Sequence, residues 1–201
     1  MRVAVDVDGV LINLMAEFLR IYNKIYKDNK QISDVKQWSF YEDFGISREE
    51  CFDIFHKINL MDVPVIEPNI APYLNIINKK HHVDIVTARR ETDREILIKK
   101  LESMGVYKGK QYNELVIVGY EPHTAKADLD YDVYVDDSPE LAKAIIESNT
   151  QRIMLLFDQP WNHSMEAIKS GAARRFSDGI RAYDWKDTTQ WLQTIPCKWG
   201  N

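Results

Sequence analysis

Val3-Ala4-Val5-Asp6-Val7-Asp8-Gly9-Val10-Leu11 is the stretch around which the remaining sequence can be organised. Its first three residues form a short, β-branched apolar run, the composition of a buried parallel strand. Asp6 and Asp8 follow at once. Carboxylates two positions apart cannot both sit in a strand's core. At the strand's C-terminal end both can turn toward the crevice where open α/β sheets bind ligands. Gly9 frees the backbone for a sharp exit. Two acids so close repel each other unless a proton or a cation lies between them. A hard cation such as Mg²⁺, sharing oxygen ligands with a phosphate, resolves that repulsion.

The 201-residue length fits one α/β domain, or a core domain carrying a small insert, and 45% hydrophobic residues suffice for a sizeable core. A net charge of −5 argues against a general nucleic-acid binder, which needs a basic excess. The same balance disfavours phosphate binding unless a metal or local Lys/Arg offsets it. Cys51 and Cys197 lie far apart and read as two free thiols of a reducing cytoplasm. No apolar run is long enough for a membrane span. The start runs straight into a strand, so no signal peptide and a cytoplasmic location are expected.

Outward from the first strand, Leu14, Met15, Phe18, Leu19, Tyr22 and Tyr26 recur at helical spacing and predict a helix over about 13–27. Residues 28–46 are polar and aromatic without a period. Ser47 with Glu50 reads as a capping box opening a helix that carries Phe52, Phe55 and Ile58. Another helix starts at Ile70. The second strand, His82–Val86, ends in Thr87-Ala88-Arg89-Arg90. Thr92 with Glu95 reads as a second capping box, and Gly105 suits the end of its helix. Further strands are expected at Leu115–Val118, at Val133–Val135 ending in Asp136-Asp137, and at Arg152–Phe157 ending in Asp158-Gln159-Pro160-Trp161-Asn162. Ser138-Pro139 opens a helix. Strands alternating with helices give a parallel sheet. The fold expected is α/β: a three-layer, Rossmann-like core over 1–12 and 81–201, with a small helical cap, 13–80, inserted after the first strand. His81-His82 lacks the spacing of a metal pair. Trp185, Trp191 and Trp199 are expected to pack the C-terminal segment on the sheet.

A parallel sheet places its strand ends on one edge, so Asp6, Asp8, Thr87, Asp136 and Asp137 converge there, with Lys126 ten residues before Asp136. The inventory suits phosphoryl transfer. It holds a carboxylate nucleophile, a second carboxylate as acid and base, a hydroxyl and an ammonium for phosphate oxygens, and acids for Mg²⁺.

Asp6-Val7-Asp8-Gly9-Val10, Thr87, Lys126 and Asp136-Asp137, in this order, resemble the four motifs of the haloacid dehalogenase superfamily of phosphohydrolases. Within it, Asp-x-Asp-Gly-Val-Leu entering a helix, a helical cap between the first two motifs, the short Lys-to-Asp-Asp spacing and the late Asp-Gln-Pro-Trp-Asn segment resemble the 5′(3′)-deoxyribonucleotidases. The resemblance implies that Asp6 attacks phosphorus to form an aspartyl-phosphate. Asp8 then protonates the leaving oxygen and later activates water. It implies Mg²⁺ held by Asp6, the carbonyl of Asp8 and Asp136, with Asp137 either a ligand through water or the orienter of Lys126. Thr87 and Lys126 bind phosphate oxygens, and the Thr87-Ala88-Arg89 stretch is the candidate phosphate loop. Two departures stand out. Leu14 occupies the place where better-known members carry a base-stacking aromatic, and Thr87-Ala88 stands where some have Thr-Ser.

Other readings remain beside these. Arg89 reaches the phosphate or pairs with an acid such as Glu91. Leu14, Phe18, Trp38 and Phe44 are cap candidates for contact with a nucleobase; Trp38, Phe40, Tyr41 and Phe44 serve equally as the insert's own core. The leading function is a Mg²⁺-dependent phosphatase for (deoxy)ribonucleoside monophosphates. The alternatives are a phosphatase for a sugar phosphate or phosphoglycolate, a phosphomutase-like transferase, and a catalytically silent binding module. The partner expected is a small phosphomonoester, with no nucleic acid and no membrane, and a homodimer is as open as a monomer.

Overall fold

The computed structural model describes residues 1–122, 124–148, 151–163, 180–182 and 184–195. Six parallel strands, β1 (Arg2–Val5), β2 (His82–Thr87), β3 (Leu115–Ile117), β4 (Val133–Asp136), β5 (Ile153–Phe157) and β6 (Ile180–Ala182), form one sheet in the order β3-β2-β1-β4-β5-β6. The chain winds outward from β1 in one direction and then, from β4, in the other. The topological switch therefore lies between β1 and β4, where such sheets open a crevice beyond the strand ends. β6 was not expected, since three residues carry no readable period.

Alternation along the strands builds the layers. Val3, Val5, Val83, Ile85, Val133, Val135, Ile153 and Leu155 face a cluster completed by α3 (Ile70–Lys80), α4 (Arg94–Ser103) and α6 (Trp185–Thr194). Ala4, Val86, Tyr134, Met154 and Leu156 face the opposite side, under Leu141, Ala142 and Ile145 of α5 (Pro139–Glu147). Both faces are covered, which is why the strands read as continuous apolar runs. Trp185 is fully buried and donates its indole N–H to Val10 O at 2.9 Å, tying the C-terminal helix to the turn after β1. Trp191 is partly buried against the same cluster. Cys197 and Trp199 lie outside the described residues; Cys51 is a free, buried thiol.

α1 (Leu14–Tyr26) is capped by Asn13, whose Oδ1 accepts from Ala16 N at 3.1 Å, and α2 (Arg48–His56) by the Ser47–Glu50 capping box. The second expected box does not form. A 3₁₀ turn over Glu91–Asp93 precedes α4, Asp93 takes the cap position, and the Thr92 hydroxyl turns to Asp93 Oδ1. Helix α4 thus starts one residue later than the Thr92–Glu95 box implies.

Residues 15–54 of the insert build a separate, aromatic-rich cluster. Leu60, Val63, Ile70, Leu74 and Ile77 belong instead to the cluster under the sheet. The insert's two ends meet: Asn13 N donates to Pro64 O at 2.7 Å and Ile66 N to Leu11 O at 3.0 Å. The Lys100 ammonium anchors that return segment, donating to Val63 O at 2.6 Å. We therefore propose that the cap is the 14–59 segment, and that α3, expected within the insert, is a helix of the core layer.

Candidate active site

The first turn after β1 is set by backbone bonds. Asp6 N extends the ladder to Val135 O at 2.9 Å, then Leu11 N and Ile12 N both fold back to Val7 O. Gly9 sits at the bend with φ +75, where an L side chain is strained. A Cβ there would lie 1.9 Å from Asp137 Oδ2, so the loop packs directly on that carboxylate. The sequence requirement for Gly9 is thus both conformational and steric.

Asp6 and Asp136 end neighbouring strands and share one ammonium. Lys126, on a 3₁₀ turn over Ala125–Asp128, donates to Asp6 Oδ1 at 2.8 Å and to Asp136 Oδ2 at 2.6 Å. Asp136 Oδ1 also accepts from Ser138 N at 2.9 Å, locking the carboxylate to the start of α5. Asp137 is buried beside them. Its Oδ2 accepts from the Trp161 indole at 3.0 Å, and Asn162 Nδ2 donates to its carbonyl. Asp136, which shares the strand edge with Asp6, is thus the acid that bonds Lys126, while Asp137, expected either as a ligand through water or as the orienter of Lys126, turns toward Trp161.

Oxygens of Asp6, Asp136 and Asp137 lie within 4.8 Å of one another. Burial pushes the Asp6 carboxyl up to about 7; Lys126 opposes that shift while Asp136 and Asp8 add to it. Burial, then the charges of Asp136 and Asp6, push Asp137 well above the ordinary carboxylate range. Burial would lower Lys126, but Asp136 and Asp6 outweigh it and hold the ammonium charged. Three carboxylates against one ammonium leave an excess of two negative charges when all are ionised, in a site with little water to solvate them. An oxygen-ligated divalent cation is the group that such a donor set fits.

Across the crevice, Thr87 ends β2 fully buried, and its Oγ1 accepts from Arg89 N at 3.3 Å. Ala88 and Arg89 line the same cavity as Asp6, Asp8 and Lys126. Arg89 donates to Asp8 Oδ1 at 2.6 Å rather than pairing with Glu91, which instead binds Arg94. The cavity holds about 550 Å³. Its floor is the acidic site and its walls are apolar: Leu14, Met15, Trp38, Phe40, Tyr41, Phe52 and Phe55 from the insert, with Tyr120 from the core.

Of the four cap candidates, Leu14 and Trp38 line this cavity; Trp38 is 40% exposed. Phe18 and Phe44 do not. Phe18 packs edge-on to Phe40 at 5.1 Å, and Phe44 packs on Tyr22 at 5.0 Å while accepting the Tyr22 hydroxyl through its carbonyl. Both are buried in the insert's own cluster, the ordinary fate of an aromatic on an inward helix or loop face.

Several residues carried no role in the sequence. Gln159 donates to Gly9 O at 2.7 Å and Trp161 to Asp137, so the segment after β5 brackets the Asp6 loop from outside. Trp161 also belongs to the insert's cluster, joining cap to core. Arg48 bonds Glu121 at 2.9 Å and its guanidinium lies over Phe52, while Phe52 meets Tyr120 edge-on at 6.2 Å. Pro160-Trp161 stood out only as part of a motif-like segment; nothing in Arg48 or Tyr120 distinguished them locally.

A family model described as "5' nucleotidase, deoxy (Pyrimidine), cytosolic type C protein" matches residues 1–195. A protein of Oceanobacillus iheyensis named "Putative nucleotidase OB0422" is 23% identical over 207 residues, covering 94% of this chain and 98% of its own. Among solved structures, L-2-haloacid dehalogenase from Xanthobacter autotrophicus, with chloropropionic acid covalently bound, is similar with a TM-score of 0.57 at 10% identity, covering 96% of this chain and 98% of that one. A HAD family hydrolase from Deinococcus radiodurans R1, with bound phosphate and sodium, has a TM-score of 0.57 at 16% identity, covering 93% and 92%. At these identities the structural likeness concerns the fold, a haloacid-dehalogenase-type parallel sheet. Among the described residues, no helix is long and apolar enough to cross a membrane.

Proposed function

The chain belongs to the family of cytosolic type C 5′ nucleotidases and is a phosphoric monoester hydrolase, and from that premise we propose that it hydrolyses (deoxy)ribonucleoside monophosphates through an aspartyl-phosphate on Asp6. The observation that carries this reading is the cavity's division. A buried Asp6–Lys126–Asp136 group lies at one end and a largely apolar wall at the other. Phosphate chemistry needs the first; a nucleobase needs the second.

In this reading Asp6 supplies the nucleophilic oxygen. Its attack on phosphorus breaks the bond to the ester oxygen, which takes a proton from Asp8. Asp8, now anionic, accepts a proton from the water that cleaves the acyl-phosphate and regenerates Asp6. Lys126 and Thr87 bind phosphoryl oxygens, and their fixed donors stabilise charge as it develops. Mg²⁺, held by Asp6, the Asp8 carbonyl and Asp136, with Asp137 beside them, would neutralise the site and polarise the phosphoryl group. Trp38, Phe52 and Tyr120 offer faces to the base. We propose a cytoplasmic location from the same family membership.

The test is a phosphate-release screen with Mg²⁺ over nucleoside monophosphates, sugar phosphates and phosphoglycolate, repeated in excess chelator. Nucleoside monophosphates should be the best substrates, and activity should vanish in chelator and return with Mg²⁺. Preferred turnover of a sugar phosphate overturns the substrate; full activity in chelator overturns the metal.

A further inference from the structure

Arg89 occupies an unusual position for a residue that only closes a salt bridge. It is 9% exposed, yet it faces the cavity beside Asp6 and Lys126. Its guanidinium donates to Asp8 Oδ1 at 2.6 Å. Its Nε is buried and has no hydrogen-bond partner among the described residues. A guanidinium presents a planar fork made for two parallel bonds to a carboxylate or phosphate, and a buried donor left unsatisfied costs the full desolvation of that group. Asp8 satisfies the fork incompletely. The Arg89 backbone is held in place as well, since its N donates to the buried Thr87 hydroxyl at the end of β2.

We infer that Arg89 changes partner during the reaction: it binds Asp8 in the free enzyme and leaves Asp8 for the phosphoryl group of the arriving substrate. This rests on the phosphomonoesterase reading above and adds to it a coupling between two residues. A phosphoryl dianion offers three acceptor oxygens and more charge than a carboxylate, so it can meet more of the fork's donors than the single oxygen Asp8 presents. The consequence falls on Asp8. While its Oδ1 is committed to Arg89, the carboxyl cannot present that oxygen to a leaving group. Substrate binding therefore frees the acid and base group as it arrives. Arg89 touches substrate in this scheme, and acts on Asp8 by letting it go. A static pair is the opposite arrangement, in which Arg89 neutralises and positions Asp8 throughout and never meets phosphate.

The two arrangements predict opposite signs in one binding measurement. Inorganic phosphate is titrated calorimetrically in the presence of Mg²⁺ into the wild type, Asp8→Asn, Arg89→Met and the double variant. If Arg89 is exchanged, Asp8→Asn releases it in advance, and phosphate binds about tenfold tighter. In the Arg89→Met background the same substitution only removes a repelling charge, so its gain is smaller. If the pair is static, Arg89→Met leaves Asp8 unneutralised beside the incoming anion, and Asp8→Asn gains more without Arg89 than with it. Equal or reversed gains, in an enzyme that still hydrolyses phosphomonoesters, overturn the exchange alone. A wild type that neither binds phosphate nor hydrolyses any phosphomonoester overturns the phosphatase reading and this inference with it. Arg89→Lys, which keeps the charge but not the fork, stands in should Arg89→Met fail to fold, and its Asp8→Asn gain should fall below that of the wild type.

Discussion

The sheet domain and the helical insert are built from different apolar material, and they divide the work accordingly. The sheet's interior is aliphatic and period-two, so each strand end has one fixed direction and the carboxylates of β1 and β4 are forced to meet. The insert's interior is aromatic and irregular: Phe18, Tyr22, Phe40, Phe44 and Phe55 pack ring on ring with tilted and edge-on geometries. An aliphatic sheet fixes atoms to the tolerance that bond-making requires. An aromatic cluster on short helices holds a wall whose shape can vary while the sheet stays the same. The proposed function assigns chemistry to one region and substrate choice to the other.

The largest effect should come from the sheet. Asp6→Asn replaces the carboxylate proposed to attack with an amide that is a poor nucleophile, a weaker metal ligand and an uncharged partner for Lys126. Turnover of nucleoside and generic phosphomonoesters alike should fall by at least about 10³-fold, with the fold retained by circular dichroism. Phosphate release within tenfold of wild type would remove Asp6 from the centre of the reaction.

That difference between regions also explains what the sequence revealed. The strand-end residues were readable because a parallel sheet puts all its C-terminal ends on one edge: Asp6, Thr87 and Asp136 need no tertiary information beyond strand order. Lys126 followed from its spacing to Asp136. The long-range brackets were not readable, because Gln159 to Gly9 and Trp161 to Asp137 join residues more than twenty positions apart with no periodic signature. In the insert, composition gave the aromatics but not their direction. Phe44 faces inward and Trp38 faces the cavity, six residues apart in a stretch without a helical or strand period. The end of the insert is hard to read for the same reason. α3 is amphipathic on its own terms, and the meeting of Asn13 with Pro64 is what supports the proposed end of the cap before it.

Phe44 and Trp38 turn the comparison into a measurement within the insert. Phe44 is buried among Tyr22 and Phe40, with Lys30 over its ring at 5.3 Å. Phe44→Ala opens a cavity in that cluster and should cost about 3–5 kcal/mol of stability. A lowered melting temperature, with nucleoside monophosphates and a small generic phosphoester losing activity in parallel, is the expected result. A selective loss of nucleotide turnover at unchanged melting temperature would show that the insert's core itself touches the base.

Trp38→Ala should have the smallest and most informative effect. Trp38 is 40% exposed and lines the cavity from the insert side, so removing its ring deletes little packing. In the proposed function Lys126, Thr87 and Mg²⁺ bind the phosphoryl end of the substrate, whereas Trp38 lines the insert side of the cavity. A nucleobase stacked on an aromatic ring is worth about 1–3 kcal/mol, and binding energy from a remote group can raise kcat as well as lower KM. The kcat/KM for nucleoside monophosphates should therefore fall by about 5- to 100-fold. The value for a generic phosphoester too small to reach the insert should stay within about twofold. The melting temperature should not move, which separates this variant from Phe44→Ala. Equal losses on both substrates would mean that Trp38 acts by closing the cavity against water, so that the insert's contribution is to chemistry and the division between the two regions is lost.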